Sequence, residues 1–293
     1  MRRVPASGLD LNLFEWEGGD TTLLLLHGYL DTGGTFGPMV RHLDPGLHVL
    51  APDMRGHGRS QGISADGYYH FHDYVRDVRA LVRAHARARL IVLGHSMGGS
   101  IASLYAGAWA DEVDRLVLVE GLGPMPERLE DSPERMRRWV RELGAPGEGK
   151  RYASQQEVAD SLGRRNRGLE AELAWELAGH LAEDRGDHWT WRHDRRHRTR
   201  GPQPYDPSRY APFLSSITCP TLLVTGGRSW YRYPDLPERR RLVADRRRLH
   251  WPDCGHMVHW ERPAELAAAV SAFVAGGEPD GLAQGDIDAN VPG

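Results

Sequence analysis

A serine set between two glycines is the first place where this chain could do chemistry. In LIVLGHSMGGS, residues 90–100, an apolar run stops at Ser96, with Gly94 two positions before it and Gly98 two positions after. A strand that turns straight into a helix at a G-x-S-x-G sequence holds its serine on a strained turn and projects the hydroxyl above the sheet. Gly94 and Gly98 remove side chains where the chain folds back, and Gly99, Ser100 and Ala102 keep the following helix close to the strand. The amide of Met97 then falls at the helix N-terminus, where unpaired N–H groups and the helix dipole favour developing negative charge. Those parts suit attack on a carbonyl, with the Met97 N–H as half of an oxyanion hole.

A serine hydroxyl is a poor nucleophile until a base takes its proton, and histidine titrates close enough to neutrality to take it and return it. The chain has 15 histidines, so residue type alone selects none. Position selects His256: PDCGHMVHWERPAELAAAVSAF sets it in a loop between the last apolar run and a final amphipathic helix, with His259 as the fallback. The second oxyanion donor belongs in a loop after an earlier strand, and LLLLHGYLDTGGTF offers the amide of Tyr29 there, in a turn that His27 and Gly28 shape.

These residues need a frame. TTLLLLHG, LHVLAPD, RLIVLGHS, RLVLVEG, TLLVTGG and RRLHWPDCG are short Leu- and Val-rich runs that end in turn residues and alternate with helical patterns. Such a pattern describes a largely parallel sheet buried on both faces, with its active residues in loops past the carboxyl ends of the strands. Between RLVLVEG and TLLVTGG a long insertion replaces the usual short crossover. Its helices are DSPERMRRWVREL, a segment opened by the capping box SQQE at Ser154, and GLEAELAWELAGHLAED; GDHWTWRHDRRHRTRG reads as a strand or hairpin closing it. The expected division is a core of residues 1–122 and 214–276, a mainly helical cap of residues 123–213, and a disordered tail of residues 277–293.

Composition narrows the partners. A formal net charge of −3 over 293 residues gives no overall field for nucleic acid or an anionic membrane, so a small molecule is the expected partner. The longest aliphatic run, residues 23–26, is far too short to span a bilayer, and no signal-peptide pattern opens the chain. With only Cys219 and Cys254, read as unpaired thiols, a reducing, cytoplasmic location is expected. Neither a nucleotide-binding loop nor histidines at metal-ligand spacing is visible, which leaves no cofactor and no metal expected.

Taken in order, HGYLDTGGTF, PDMRGHGRS, GHSMGG and DCGHMVHWERP resemble the α/β-hydrolase fold family over almost the whole core, while the cap diverges. The resemblance implies a mostly parallel eight-stranded sheet flanked by helices and a triad in the order serine, acid, histidine, the acid commonly following the strand that corresponds to TLLVTGG. Here that loop reads GGRS, so Ser229 stands where a carboxylate is usual. Glu120, at the end of RLVLVEG, resembles the alternative acid site of some haloalkane dehalogenases. One methylene longer than aspartate, it reaches from the neighbouring strand end toward the imidazole, where it would fix the tautomer and stabilise the cation. Asp235 in YRYPD and Asp31 are the alternatives.

Those dehalogenases attack with aspartate, whereas this chain has Ser96 at the turn, so halide displacement and carboxylate-nucleophile epoxide hydrolysis are not expected. The expected function is cofactor-independent hydrolysis of a small ester, thioester or lactone through an acyl-enzyme. The alternatives are carbon–carbon bond hydrolysis or perhydrolysis by the same residues, and a non-catalytic binding protein. Asp53, Arg55, His57 and Arg59 read as a structural loop, and the charge run from Arg192 reads as a solvated face. Trp189, Trp191, Trp230 and Tyr231 are expected to line the substrate cavity under the cap.

Overall fold

Leucines 23 to 26 show how the sheet is built, because their side chains leave the strand on alternate faces. Leu23 and Leu25 enter one hydrophobic cluster, Leu24 and Leu26 the other, and all four are buried. Burying such a side chain contributes roughly 1.5–3 kcal/mol, so a run of this kind is stable only in a sheet covered on both sides. The computed structural model describes residues 1–144, 147 and 149–282; most of the expected tail therefore lies outside the described residues. Residue 282 reaches back to form an isolated bridge with Leu249.

The described strands are β1 (Arg2–Ala6), β2 (Leu9–Trp16), β3 (Thr21–Leu26), β4 (His48–Pro52), β5 (Arg89–His95), β6 (Arg115–Val119), β7 (Arg151–Tyr152), β8 (Ala182–Asp184), β9 (Trp189–Trp191), β10 (Thr221–Gly226) and β11 (Arg246–Trp251). Eight of them form one sheet in the order β1-β2-β4-β3-β5-β6-β10-β11. Strand β2 runs antiparallel to β1 and β4, and the remaining pairs are parallel. The helices are α1 (Gly37–Val40), α2 (Phe71–His85), α3 (Met97–Ala108), α4 (Ser132–Gly144), α5 (Gln155–Arg165), α6 (Ala171–Leu181), α7 (Pro207–Ser215), α8 (Leu236–Leu242), α9 (Val258–Glu261) and α10 (Pro263–Val274). Residues of α2, α3, α7 and α8 pack into one core cluster, and residues of α1, α9 and α10 into the other. The eight-stranded, mostly parallel sheet flanked by helices is as the sequence led us to expect.

The stretch between β6 and β10 carries α4 to α7 and a small sheet, β7-β9-β8. GDHWTWRHDRRHRTRG supplies β9, which pairs antiparallel with β8 and β7. A third cluster, including Val158, Leu162, Leu177 and Leu181, gives this layer its own core, and Trp260 of the sheet-bearing part joins it. Helix α7 straddles the expected boundary at residue 213: Tyr210 and Leu214 are buried in the sheet's own core, and the Tyr210 hydroxyl meets the Ser103 hydroxyl of α3. Cys219 and Cys254 are buried free thiols.

Candidate active site

Parallel strands leave their carboxyl ends on one edge of the sheet, and five loops from that edge build the site. Tyr29 follows β3, Ser96 follows β5, Glu120 follows β6, Ser229 follows β10 and His256 follows β11. Three of these turns are strained. Among the described residues the non-glycine positions with positive φ are Ser7, Leu30, Ser96 and Glu120, at 52°, 60°, 52° and 54°. Such conformations cost on the order of 1–3 kcal/mol each and persist only where the surroundings impose them.

At Ser96 the imposing contacts are visible. Its N–H donates to the Val119 carbonyl at 2.9 Å, and the chain turns at once into α3. A Cβ on Gly98 would collide with the Leu26 carbonyl, and one on Gly121 with the Ser96 carbonyl, so only glycine lets the three strand ends close up here. Met97 opens α3, and its N–H precedes the first intrahelical bond. The Tyr29 amide donates to no backbone acceptor among the described loop hydrogen bonds.

The hydroxyl of Ser96 lies 2.9 Å from His256 Nε2, and His256 Nδ1 lies 3.1 Å from Glu120 Oε2. These partners assign the tautomer: Nδ1–H donates to the carboxylate, leaving Nε2 to accept from Ser96. Glu120 is 2% exposed, and a buried carboxylate is costly unless its oxygens are satisfied. Oε1 accepts the Gly226 N–H at 2.7 Å, Oε2 accepts the Ser229 hydroxyl, and the backbone N–H of Glu120 is tied to the Val224 carbonyl at 2.9 Å. Ser229 Oγ also lies 3.4 Å from His256 Nδ1 and accepts the Tyr231 N–H at 3.0 Å. Ser229 thus touches both Glu120 and His256.

The other carboxylates are engaged elsewhere. Asp235 pairs with Arg239 at 2.6 Å, one helical turn on. Asp31 accepts from the Thr32 N–H and the Thr35 hydroxyl, both at 2.7 Å, and faces His259 Nε2 at 3.3 Å. His259, the fallback base, is fully buried beside Asp31, and burial pushes its imidazole down to about 3. His95, also buried and held well below the usual imidazole range by burial, donates from Nε2 to the His256 carbonyl at 2.9 Å. Asp31, His95 and His259 each bring one donor atom within 4.8 Å of the others, the group among the described residues that could hold a metal. None of these roles for His95 was read from the sequence, although it sits inside GHSMGG. Glu261 was missed as well; its carboxylate accepts the Gly255 N–H at 3.0 Å and braces the His256 loop.

Two cavities border the site, one lined by His256 and the other by Met97, with Tyr29 in both walls and Ser96 in neither. One, of about 510 Å³, is walled by Trp191, Trp230, His256, Trp260 and several arginines. The other, of about 600 Å³, runs past Met97, Leu104, Met125 and Phe213. Trp230 lies with its ring 4.5 Å from that of His256. Trp189 and Tyr231, expected in the lining, stand outside both walls. Trp189 pairs with Asp184 at the turn end of its hairpin, whereas Trp191 pairs with Ala182 at the base. Tyr231 lies beneath the site, where its hydroxyl accepts the Leu122 N–H at 2.6 Å and donates to the Gly123 carbonyl. The PDMRGHGRS loop is a scaffold: Asp53 accepts the Gly33 and Arg59 N–H groups at 2.8 Å, and Arg55 is forked onto Asp77 at 2.6 and 2.7 Å.

Comparison with known proteins agrees with this architecture. Residues 21–263 match the family described as alpha/beta hydrolase fold. A serine hydrolase-like protein of Danio rerio is 35% identical over 118 residues, 40% of this chain and 36% of that protein, so the chain spans about a third of the length of that curated relative. The sn-1-specific diacylglycerol lipase ABHD11 of the same organism is 25% identical over 277 residues, 94% of this chain and 84% of that one. The crystal structure of a hypothetical protein of Pseudomonas aeruginosa PAO1 superposes with a TM-score of 0.81 at 27% identity, covering 94% of this chain and 99% of the other. A thioesterase domain from the curacin biosynthetic pathway also gives 0.81, at 25% identity over 91% and 96%. On the strength of a match that takes in most of its length, the chain belongs to the alpha/beta hydrolase fold family.

Proposed function

We propose that the protein is a cofactor-independent serine hydrolase acting on a small carboxylic ester, thioester or lactone through an acyl-enzyme. One observation carries the reading: the continuous line from Ser96 Oγ through His256 to Glu120, at 2.9 and 3.1 Å, with the serine on a strained strand-to-helix turn. In this reading Ser96 attacks the carbonyl as its proton passes to His256 Nε2. Glu120 holds the imidazole in the accepting tautomer and stabilises the cation. The oxyanion is received by the amides of Met97 and Tyr29, each such donor being worth about a hundredfold to a thousandfold in rate. His256 then returns the proton to the departing alcohol or thiol, and water, activated by the same imidazole, releases the acid. Names among the relatives that include a serine hydrolase, a lipase and a thioesterase are consistent with acyl transfer.

A non-catalytic receptor draws its support from GGRS, where a carboxylate is missing. That support weakens once Ser229 donates to Glu120, because the acid is then supplied from β6 and the serine helps to hold it. An ester panel tests the assignment. Glu120→Gln keeps the size and removes the charge, and kcat is expected to fall by about a thousandfold to ten-thousandfold; Asp235→Asn is expected to stay within about threefold of wild type. A crippled Asp235→Asn beside an active Glu120→Gln would transfer the acid role.

A further inference from the structure

The chain as a whole is net negative, at −3, yet the cavity beside His256 is walled by five arginines. Arg164 and Arg165 come from the last turn of α5, Arg167 from just beyond it, Arg198 from the segment after β9 and Arg228 from the loop after β10. The two carboxylates of the wall do not balance them. Glu261 is paired with Arg228 at 3.2 Å, and Asp31 is buried with its carboxylate oxygens taken up by the Thr32 N–H, the Thr35 hydroxyl and His259. Among the described residues Arg164, Arg165, Arg167 and Arg198 form no ion pair with a carboxylate.

Local structure accounts for part of this. The C-terminal end of α5 accommodates Arg164 and Arg165 through the helix dipole, but Arg167 and Arg198 lie outside that turn. The second cavity shows what an ordinary arrangement looks like. Three of its four arginines are paired: Arg135 faces Glu127 at 2.5 Å, Arg196 faces Asp194 at 2.6 Å and Arg209 faces Asp206 at 3.8 Å, leaving Arg200 without a carboxylate among the described residues. Unbalanced guanidinium groups gathered around a concave, partly apolar wall focus a positive field into it. Their planar forks match the paired oxygens of a carboxylate or phosphate. His193 of the same wall is pushed down to about 4, first by burial and then by Arg198, so at neutral pH it is an uncharged hydrogen-bonding group.

We propose that this cavity binds an anionic group of the substrate, carboxylate or phosphate, while the reacting carbonyl lies at Ser96. The proposal rests on the hydrolase reading and names the substrate class for it. The uncharged end then occupies the cavity past Met97.

Two matched pairs test it and separate the two sources of charge: monomethyl against dimethyl glutarate for a carboxylate, and a coenzyme A thioester against the N-acetylcysteamine thioester of the same acyl group for phosphates. In at least one pair the anionic member is expected to have a kcat/KM about tenfold or more above its neutral partner. The gap should shrink as salt is raised and narrow through KM in Arg167→Gln/Arg198→Gln. Equal turnover within both pairs, or a gap that the arginine variant leaves unchanged, overturns the anion site and leaves the hydrolase reading standing. Calorimetry of Ser96→Ala with monomethyl glutarate and with coenzyme A reads binding without chemistry. Binding of one of them that the arginine variant weakens, with no turnover by wild type, keeps the anion site and ends the hydrolase reading; no binding of either overturns the site.

Discussion

Ser229 holds the centre of the site without being one of the three residues of the proposed line from Ser96 through His256 to Glu120. Its hydroxyl donates to Glu120 and approaches His256 Nδ1, while its own position is fixed by the Tyr231 N–H. Losing that donor leaves a buried carboxylate with one hydrogen bond fewer, a cost of about 1 kcal/mol when the site can relax. Ser229→Ala is therefore expected to lower kcat about fivefold, and steady-state hydrolysis of one ester checks it. Ser96 and His256 were legible because glycine spacing and a loop before an amphipathic helix leave local marks. Glu120 was reached only through resemblance, since a carboxylate at a strand end carries no local signature. The contribution of Ser229 was illegible, because it depends on two loops more than 100 residues apart in the chain meeting in space.

At the scale of elements, local chemistry was most readable where a side chain closes its own backbone. Ser154 caps α5 by accepting the Glu157 N–H at 3.2 Å, the cap that SQQE announced, while Glu157 reaches back one residue further than in a capping box, to the Ala153 N–H at 2.6 Å. Ser154→Ala is expected to cost about 1 kcal/mol, seen as a lower urea midpoint at unchanged slope. The helix it would loosen carries Arg164 and Arg165 to the cavity wall. Less readable were Trp189 and Trp191, alike in sequence and separated in space by their places along a three-residue strand. Helix α7 was misdivided for a related reason: a run such as PSRYAPFLS shows that one face is buried but not against which layer, and Tyr210 and Leu214 go to the sheet.

Across the whole molecule, the insertion is fastened to the sheet by groups from both. His197 is stacked on Tyr69 and His57 with ring centroids 3.8 and 3.9 Å apart, its carbonyl accepts the Tyr29 hydroxyl at 2.9 Å, and Asp194 accepts the Tyr69 hydroxyl at 2.8 Å. Burial pushes His197 down from 6.5 to about 3. Its contribution to stability is therefore complete above pH 6.5 and is lost as pH falls toward 3, because the unfolded chain takes up the proton first. From pH 6.5 to 5 the unfolding free energy should fall by about 2 kcal/mol from this residue. The slope in denaturant titrations should be shallower in His197→Gln; an unchanged slope would contradict the assignment. Layer order and the parallel sheet were legible because strands buried on both faces leave unbroken apolar runs. What the insertion touches was not, since its contacts join residues far apart in the chain. The account depends above all on Ser96 being activated by His256 held by Glu120, and the labelling rate of Ser96 by a fluorophosphonate, followed by peptide mass spectrometry, tests that directly. Wild type should take up one label, on the peptide bearing Ser96, with none on Ser96→Ala and labelling about a thousandfold slower in Glu120→Gln. Equal labelling of wild type and Glu120→Gln, or a label on a different serine, would contradict it.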